Sequence, residues 1–167
     1  MSGRGRVLII AGSDSGGGAG IQADIKTVTA LGGYAATAIT AITVQNTLGV
    51  RAAYPMPAEV IAAQARAVLE DIGADIIKTG MLGDAEVVET VARLLDDWGR
   101  PAVIDPVMVA KGGARLLADD AVGPVLSLLV PRAALLTPNA PEAEALTGLT
   151  VETTDDRSEE RRVGKEC

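Results

Sequence analysis

Apolar positions along the 167-residue chain switch period again and again. Val7 to Ala11 is a short apolar run, rich in branched side chains, that stops at Gly12-Ser13-Asp14-Ser15-Gly16-Gly17-Gly18. A run of that length with a glycine-rich exit predicts a buried strand. Ile21, Ile25 and Val28 then fall on one helical face, and Gly32-Gly33 closes that helix. Ala35 to Val44, rich in Ile, Thr and Val, predicts one longer strand. Gly49 to Tyr54 suits a further short strand, with Pro55 and Pro57 marking its exit.

From Ala58 the helical period returns. Ile61, Ala65, Val68, Leu69 and Ile72 form the stripe of a helix lying on a core. Ala74 to Lys78 predicts the next strand. Asp84 is placed to cap a helix carrying Val87, Val91, Leu94, Leu95 and Trp98. Val103-Ile104 predicts another strand, about Asp120 to Val130 another helix, and Leu135-Leu136 a last strand. Pro141 to Leu146 opens one more helix, with proline in its first turn.

Strand and helix alternate almost throughout, and the strands are continuous apolar runs rather than in–out alternations. That pattern predicts an α/β fold of three layers (α/β/α), a mainly parallel sheet with helices on both faces. Functional residues are then expected just past the C-terminal ends of the strands.

Composition narrows the chemistry. The chain has no histidine, which removes His-based acid–base catalysis and His-ligated metals. Its one cysteine, Cys167, excludes an intrachain disulfide and a Cys-ligated zinc. Acids outnumber bases 22 to 15, and Tyr34, Tyr54 and Trp98 are the only aromatic residues. An acidic, aromatic-poor surface speaks against nucleic acid or an anionic membrane as partner. No basic-then-apolar leader or membrane-length apolar run is present, so a cytoplasmic location is expected.

Five glycines stand among the nine residues 12–20, just where the first strand ends and a helix begins. Such a loop lets backbone approach a ligand, and a helix N-terminus offers free N–H groups. Gly18-x-Gly20-x-x-Ala23 loosely fits a dinucleotide fingerprint. That reading needs an acid at the end of the following strand for the ribose, and Val44-Gln45-Asn46 stands there instead. No Gly-Lys-Ser/Thr follows a glycine turn, so a Walker P-loop is absent too.

Residues 11–24, Ala-Gly-Ser-Asp-Ser-Gly-Gly-Gly-Ala-Gly-Ile-Gln-Ala-Asp, belong to a longer ordered set of motifs. The others are Thr40 to Thr47, Lys78-Thr79-Gly80-Met81-Leu82, Asp105-Pro106-Val107-Met108 with Lys111-x-Gly113, and Thr137-Pro138-Asn139-x-x-Glu142. In order and spacing, over roughly residues 6 to 150, the chain resembles the hydroxymethylpyrimidine kinase / phosphomethylpyrimidine kinase family of thiamine biosynthesis. The resemblance implies a ribokinase-like fold, Mg2+ and ATP, and two successive phosphorylations of a pyrimidine alcohol. It implies substrate contacts by Gln45, Asp24, Gly12, Met81 and Val107. Asn139 and Lys111 would serve ATP and its phosphates, with Lys111 on a glycine-flanked flap, and Asp105 and Glu142 would serve the metal. A planar amide such as Gln45 both donates and accepts, as reading the ring nitrogen and amino group of an aminopyrimidine requires. A pyridoxal-type vitamin kinase shares the Thr-Pro-Asn-x-x-Glu stretch and is the nearest alternative. A pyrimidine-binding half-domain without catalysis is another.

The resemblance also implies about 100 further residues, with a Gly-Thr-Gly-Cys type turn that forms an anion hole. Nothing here matches that turn, so no catalytic residue is assigned, and residues 1–156 are expected to be the N-terminal part of one kinase domain. Residues 157–167, with four bases, three acids and a lone Val163, change character abruptly. A widely used sequencing-library adapter can encode them, so they are expected to be a non-native tail. The complete parent is expected to form homo-oligomers.

Overall fold

The computed structural model describes residues 5–110, 113 and 115–151. Lys111 and the tail 157–167 lie outside the described residues. The elements are β1 (Arg6–Ala11), α1 (Gly20–Ala30), β2 (Tyr34–Ile39), β3 (Ala41–Asn46), β4 (Gly49–Pro55), α2 (Ala58–Asp71), β5 (Ile76–Thr79), α3 (Ala85–Trp98) and β6 (Ala102–Ile104). An irregular helical segment over 119–132 follows, containing α4 (Val122–Pro124), and then β7 (Ala133–Leu136) and α5 (Ala140–Thr147).

Five strands form one parallel sheet in the order β2-β1-β5-β6-β7. Their alternate residues serve two cores. Leu8, Ile10, Ile77 and Ile104 join the apolar stripes of α2 and α3 and the 119–132 segment. On the opposite face Ile9 and Ala11 meet Ile21 of α1, with Val7 and Ile25 packed beside them. Helices thus lie on both faces, as the alternation predicts, but unevenly. On the α1 side, the register Ile9–Lys78–Val103–Leu135 runs across β1, β5, β6 and β7. Its far end is bare, for Leu135 is 56% exposed while its neighbour Leu136 packs into the larger core.

The single strand expected over Ala35–Val44 is in fact two strands in different sheets. Thr40, buried at 2% exposure, makes the break. Its N–H donates to Ala11 O, its hydroxyl to Met81 O at 2.6 Å, and its carbonyl accepts from Met56 N–H. These tertiary partners turn the chain off the main sheet, and β3 then pairs with β4 as a separate antiparallel hairpin. The strand expected over Gly49–Tyr54 forms there rather than in the parallel sheet. The helix expected over 120–130 forms, but as short 3-10 turns around α4 and a wide-turned Val125–Leu129 stretch. Pro131 has no N–H to close a regular turn on Ser127. Asp84 caps α3, its side chain accepting from Val87 N–H at 2.9 Å. Among the described residues no helix is long and apolar enough to cross a membrane.

Candidate functional site

The chain leaves β1 for β2 on one side and later returns to place β5 on the other. The gap between the C-terminal ends of β1 and β5 is therefore the topological switch point, where open α/β sheets hold ligands. Gly12 leaves β1 there and Met81 follows β5. A Cβ on Gly12 would stand 3.0 Å from Met81 Sδ, so the two line one spot.

The glycine loop is built differently from the sequence expectation. Three of its amides are taken up internally, by the side chain of Asp14. The Asp14 carboxylate, 5% exposed, accepts from Gly16 N–H at 2.7 Å and from Gly18 and Ala19 N–H at 2.9 Å each. Burial pushes the Asp14 carboxyl up, but the loop amides together hold it below its ordinary value. Lys26 of α1 adds a clasp to Gly17 O at 2.7 Å, and Gln22 Oε1 accepts from Asp14 N–H. Gly20, at φ +55°, stands where a Cβ would meet Gly12 O at 2.4 Å, so the helix can start only on a glycine. The glycines serve a tight internal turn around a carboxylate.

That turn lies along β3. Ser13 N–H donates to Ala41 O, and Thr43 N–H to Ser13 Oγ. Ser15 Oγ donates to Gln45 O at 2.6 Å and accepts from Gln45 N–H at 2.8 Å. The Gln45 side chain has its Oε1 3.3 Å from the Thr43 hydroxyl. Gln45 is thereby held where the hairpin meets the loop.

A second group sits near the C-terminal end of the central strand, β5. Lys78 of β5 places its ammonium 2.8 Å from Asp24 Oδ2 on α1 and 3.4 Å from Asp105 Oδ2 beyond β6. All three side chains are between 22% and 29% exposed. Burial raises the Asp105 carboxyl above its ordinary value; Lys78 opposes that rise, while Glu142 and Asp24 reinforce it. Among the described residues no hydrogen bond or ion pair joins Gln45 to this group.

Asn139 and Glu142 form the capping box of α5. Asn139 Oδ1 accepts from Glu142 N–H, and Glu142 Oε2 accepts from Asn139 N–H, both at 2.9 Å. The other Glu142 oxygen accepts from Met108 N–H at 3.3 Å, which ties α5 to the loop after β6. Val107, in that loop, lines a small, mostly apolar hollow with Thr79, Gly80 and Leu117. Among the described residues the buried Thr79 hydroxyl has no hydrogen-bond partner.

For a metal, the donor set is narrow. Among the described residues no three potential ligands cluster. Glu142 is buried with both oxygens on backbone amides, whereas Asp105 and Asp24 are part-exposed carboxylates sharing the Lys78 ammonium. Magnesium commonly takes one or two protein carboxylates and completes its shell with phosphates and water. One part-exposed carboxylate near a buried one is a donor set compatible with an ion that brings most of its shell on a nucleotide's phosphates.

A family model described as Phosphomethylpyrimidine kinase matches residues 14–165. The chain belongs to that family. A hydroxymethylpyrimidine/phosphomethylpyrimidine kinase of Bacillus subtilis (strain 168) is 54% identical over 153 residues, covering 91% of this chain and 56% of that protein. A Haemophilus influenzae relative of the same name is 54% identical, again with 56% of its length covered. The chain thus spans a little over half the length of the curated relatives it matches. The crystal structure of a Clostridium difficile 630 phosphomethylpyrimidine kinase superposes with a TM-score of 0.90 at 41% identity, over 98% of this chain and 71% of that one. A Staphylococcus aureus pyridoxal kinase in complex with pyridoxal gives 0.88 at 34%, over 99% and 60%. The ribokinase-like architecture of these kinases is therefore the architecture here.

The motifs contain three further residues of the site to which sequence reasoning gave no role, Lys78, Asp14 and Ser15. Lys78 carried a signal, a charge inside an apolar strand, which is rare unless paired. Asp14 and Ser15 were hidden because the surrounding glycines drew the eye to backbone chemistry.

Proposed function

We propose that this chain is the ring-reading part of an ATP-dependent kinase. Its substrates are 4-amino-5-hydroxymethyl-2-methylpyrimidine and the monophosphate of that alcohol, as in thiamine biosynthesis. The observation that carries this reading is Gln45, clamped by backbone and side chain at the junction of hairpin and glycine loop. Its amide offers a donor and an acceptor in one plane, the complement of a ring nitrogen beside an amino group. Gly12 and Met81 at the switch point supply a flat, close wall for such a ring.

In phosphoryl transfer the protein contributes position and charge rather than covalent chemistry. Gln45, Gly12 and Met81 orient the ring, and Val107 bounds the far side. Asp24 and Asp105, joined by Lys78, keep one cation beside two carboxylates where alcohol and phosphate meet. Asp105 would hold a magnesium ion carried by the nucleotide, which would neutralise phosphate charge. Asn139 and Glu142 brace the loop that carries Val107.

Calorimetric titration of the 167-residue chain with the pyrimidine alcohol, and with pyridoxal in parallel, tests the reading. Preferential binding of the pyrimidine is expected, and Gln45→Ala is expected to weaken it by about tenfold, to a still measurable affinity, and erase the preference. Tighter binding of pyridoxal, or unchanged binding by Gln45→Ala, refutes it. Because the chain spans 56% of the Bacillus relative, binding is expected with little or no turnover.

A further inference from the structure

In β3, alternate residues turn their backbone groups away from β4. Ala41, Thr43 and Gln45 meet the glycine loop instead, which acts as a substitute third strand. The β3–β4 register slips between Val44 and Gln45, with Val44 opposite Ala52 but Gln45 opposite Val50. The ladder is thus broken just before Gln45 and resumes through Gln45–Val50 and Asn46–Gly49, and the backbone of Gln45 is also held from the loop side. Ser15 supplies that hold, donating to Gln45 O at 2.6 Å and accepting from its N–H at 2.8 Å. The loop itself lies against this backbone: a Cβ on Gly16 would stand 3.4 Å from Asn46 Cα and 3.6 Å from Gln45 O. Asp14, next to Ser15, fixes the loop through Gly16, Gly18 and Ala19.

We propose that Ser15 is the positioning residue for Gln45. Its hydroxyl, clamped on both backbone groups of Gln45 and steadied by the loop that Asp14 fills, sets where the Gln45 amide meets the ring of an aminopyrimidine alcohol. The inference rests on the reading of Gln45 given above. Ser15 touches no ring itself; it acts through Gln45. A threonine can make the same two hydrogen bonds, and an alanine can make neither.

Two measurements on the 167-residue chain test this. The first is amide hydrogen exchange at Gln45 by NMR in Ser15→Ala and Ser15→Thr. Exchange about tenfold faster in the alanine variant, and near wild type in the threonine variant, is expected. Unchanged exchange in Ser15→Ala overturns the proposal. The second is a double-mutant cycle on calorimetric affinity for 4-amino-5-hydroxymethyl-2-methylpyrimidine. Ser15→Ala is expected to weaken binding roughly three- to tenfold when Gln45 is present. In the Gln45→Ala background it is expected to change nothing, because the group being positioned is gone. Equal weakening in both backgrounds would assign Ser15 a merely structural role and overturn the proposal. A wild-type chain that fails to bind the alcohol, while Ser15→Ala still frees the Gln45 amide, would overturn the ligand reading and leave the clamp standing.

Discussion

Replacing Asp14 is expected to be among the most damaging single changes outside the core. The carboxylate receives three loop amides at 2.7, 2.9 and 2.9 Å and is 5% exposed. A hydrogen bond to a charged group contributes about 1.5–3 kcal/mol, but such bonds are not additive and water reaches the exposed glycines once the acid is gone. Asp14→Ala is therefore expected to cost about 2–4 kcal/mol in all. For a chain of this length that lowers Tm by roughly 5–15 °C. Asp14→Asn keeps one acceptor oxygen but turns a donor on the remaining amides, and should fall between the two. The pH dependence has a definite sign. The folded carboxyl lies below its unfolded value, so its contribution is complete above the unfolded range near 4, about the ordinary value for aspartate. It is lost as pH falls below that range, and the Asp14→Asn chain should show a shallower acid-side loss. Urea unfolding followed by circular dichroism, at pH 7 and at steps below pH 5, reads both effects. An alanine variant within 0.5 kcal/mol of wild type, that being the scatter of ordinary surface substitutions, would refute the reasoning.

Three further outcomes follow from the geometry. Lys78→Met strips the shared cation from Asp24 and Asp105 and is expected to cost about 1–3 kcal/mol in urea unfolding, with Lys78→Arg recovering part of it; a neutral or stabilising methionine would contradict the ion-pair reading. Gly20→Ala puts a Cβ on Gly12 O at φ +55° and should destabilise by at least about 2 kcal/mol, whereas Gly113→Ala, with open space at φ +85°, should cost only about 1–2 kcal/mol; equal effects would show the close contact to be irrelevant. Asp75 pairs with Arg6 at 2.7 Å and its carboxyl is pulled down to about 2, by the guanidinium first and the Arg6 N–H next. An NMR titration of that carboxyl should find its midpoint near 2, the pair's contribution being complete above about pH 4 and lost as pH falls from there through about 2; a midpoint near 4, the ordinary aspartate value, refutes the pairing in solution.

Much of the scaffold was legible because burial on both faces leaves continuous apolar runs. β1, β5, β6 and β7 fall within a residue or two of the expected positions, and the cap of α3 at Asp84 was readable from a single residue type. The Thr40 corner was not. No glycine, proline or other turn residue interrupts Ala35 to Val44, whose Ile, Thr and Val favour extended backbone, and the break depends on Ala11, Met56 and Met81, partners far along the chain. Pro124 and Pro131 were visible, but the way they distort the helix around them depends on packing. At the site, the family motifs picked out Gln45, Asp24, Asp105 and Glu142, and the structure shows each engaged by specific neighbours. What the motifs contained without explaining were Asp14, Ser15 and Lys78. Lys78 matters only because α1 lies across the sheet and brings Asp24 to it, a juxtaposition that no local pattern encodes.

The unevenly covered sheet has a consequence for the substance rather than the molecule. Where α1 ends, an apolar strip from Val103 to the half-bare Leu135 meets water at the β7 edge of the sheet. Two such strips brought together release ordered solvent, an entropic gain that grows on warming. A net charge of −7 keeps the particles apart only over a Debye length, about 8 Å at physiological ionic strength. Solutions of this chain should therefore turn cloudy on heating or salting well below the unfolding temperature, and clear again on cooling and dilution.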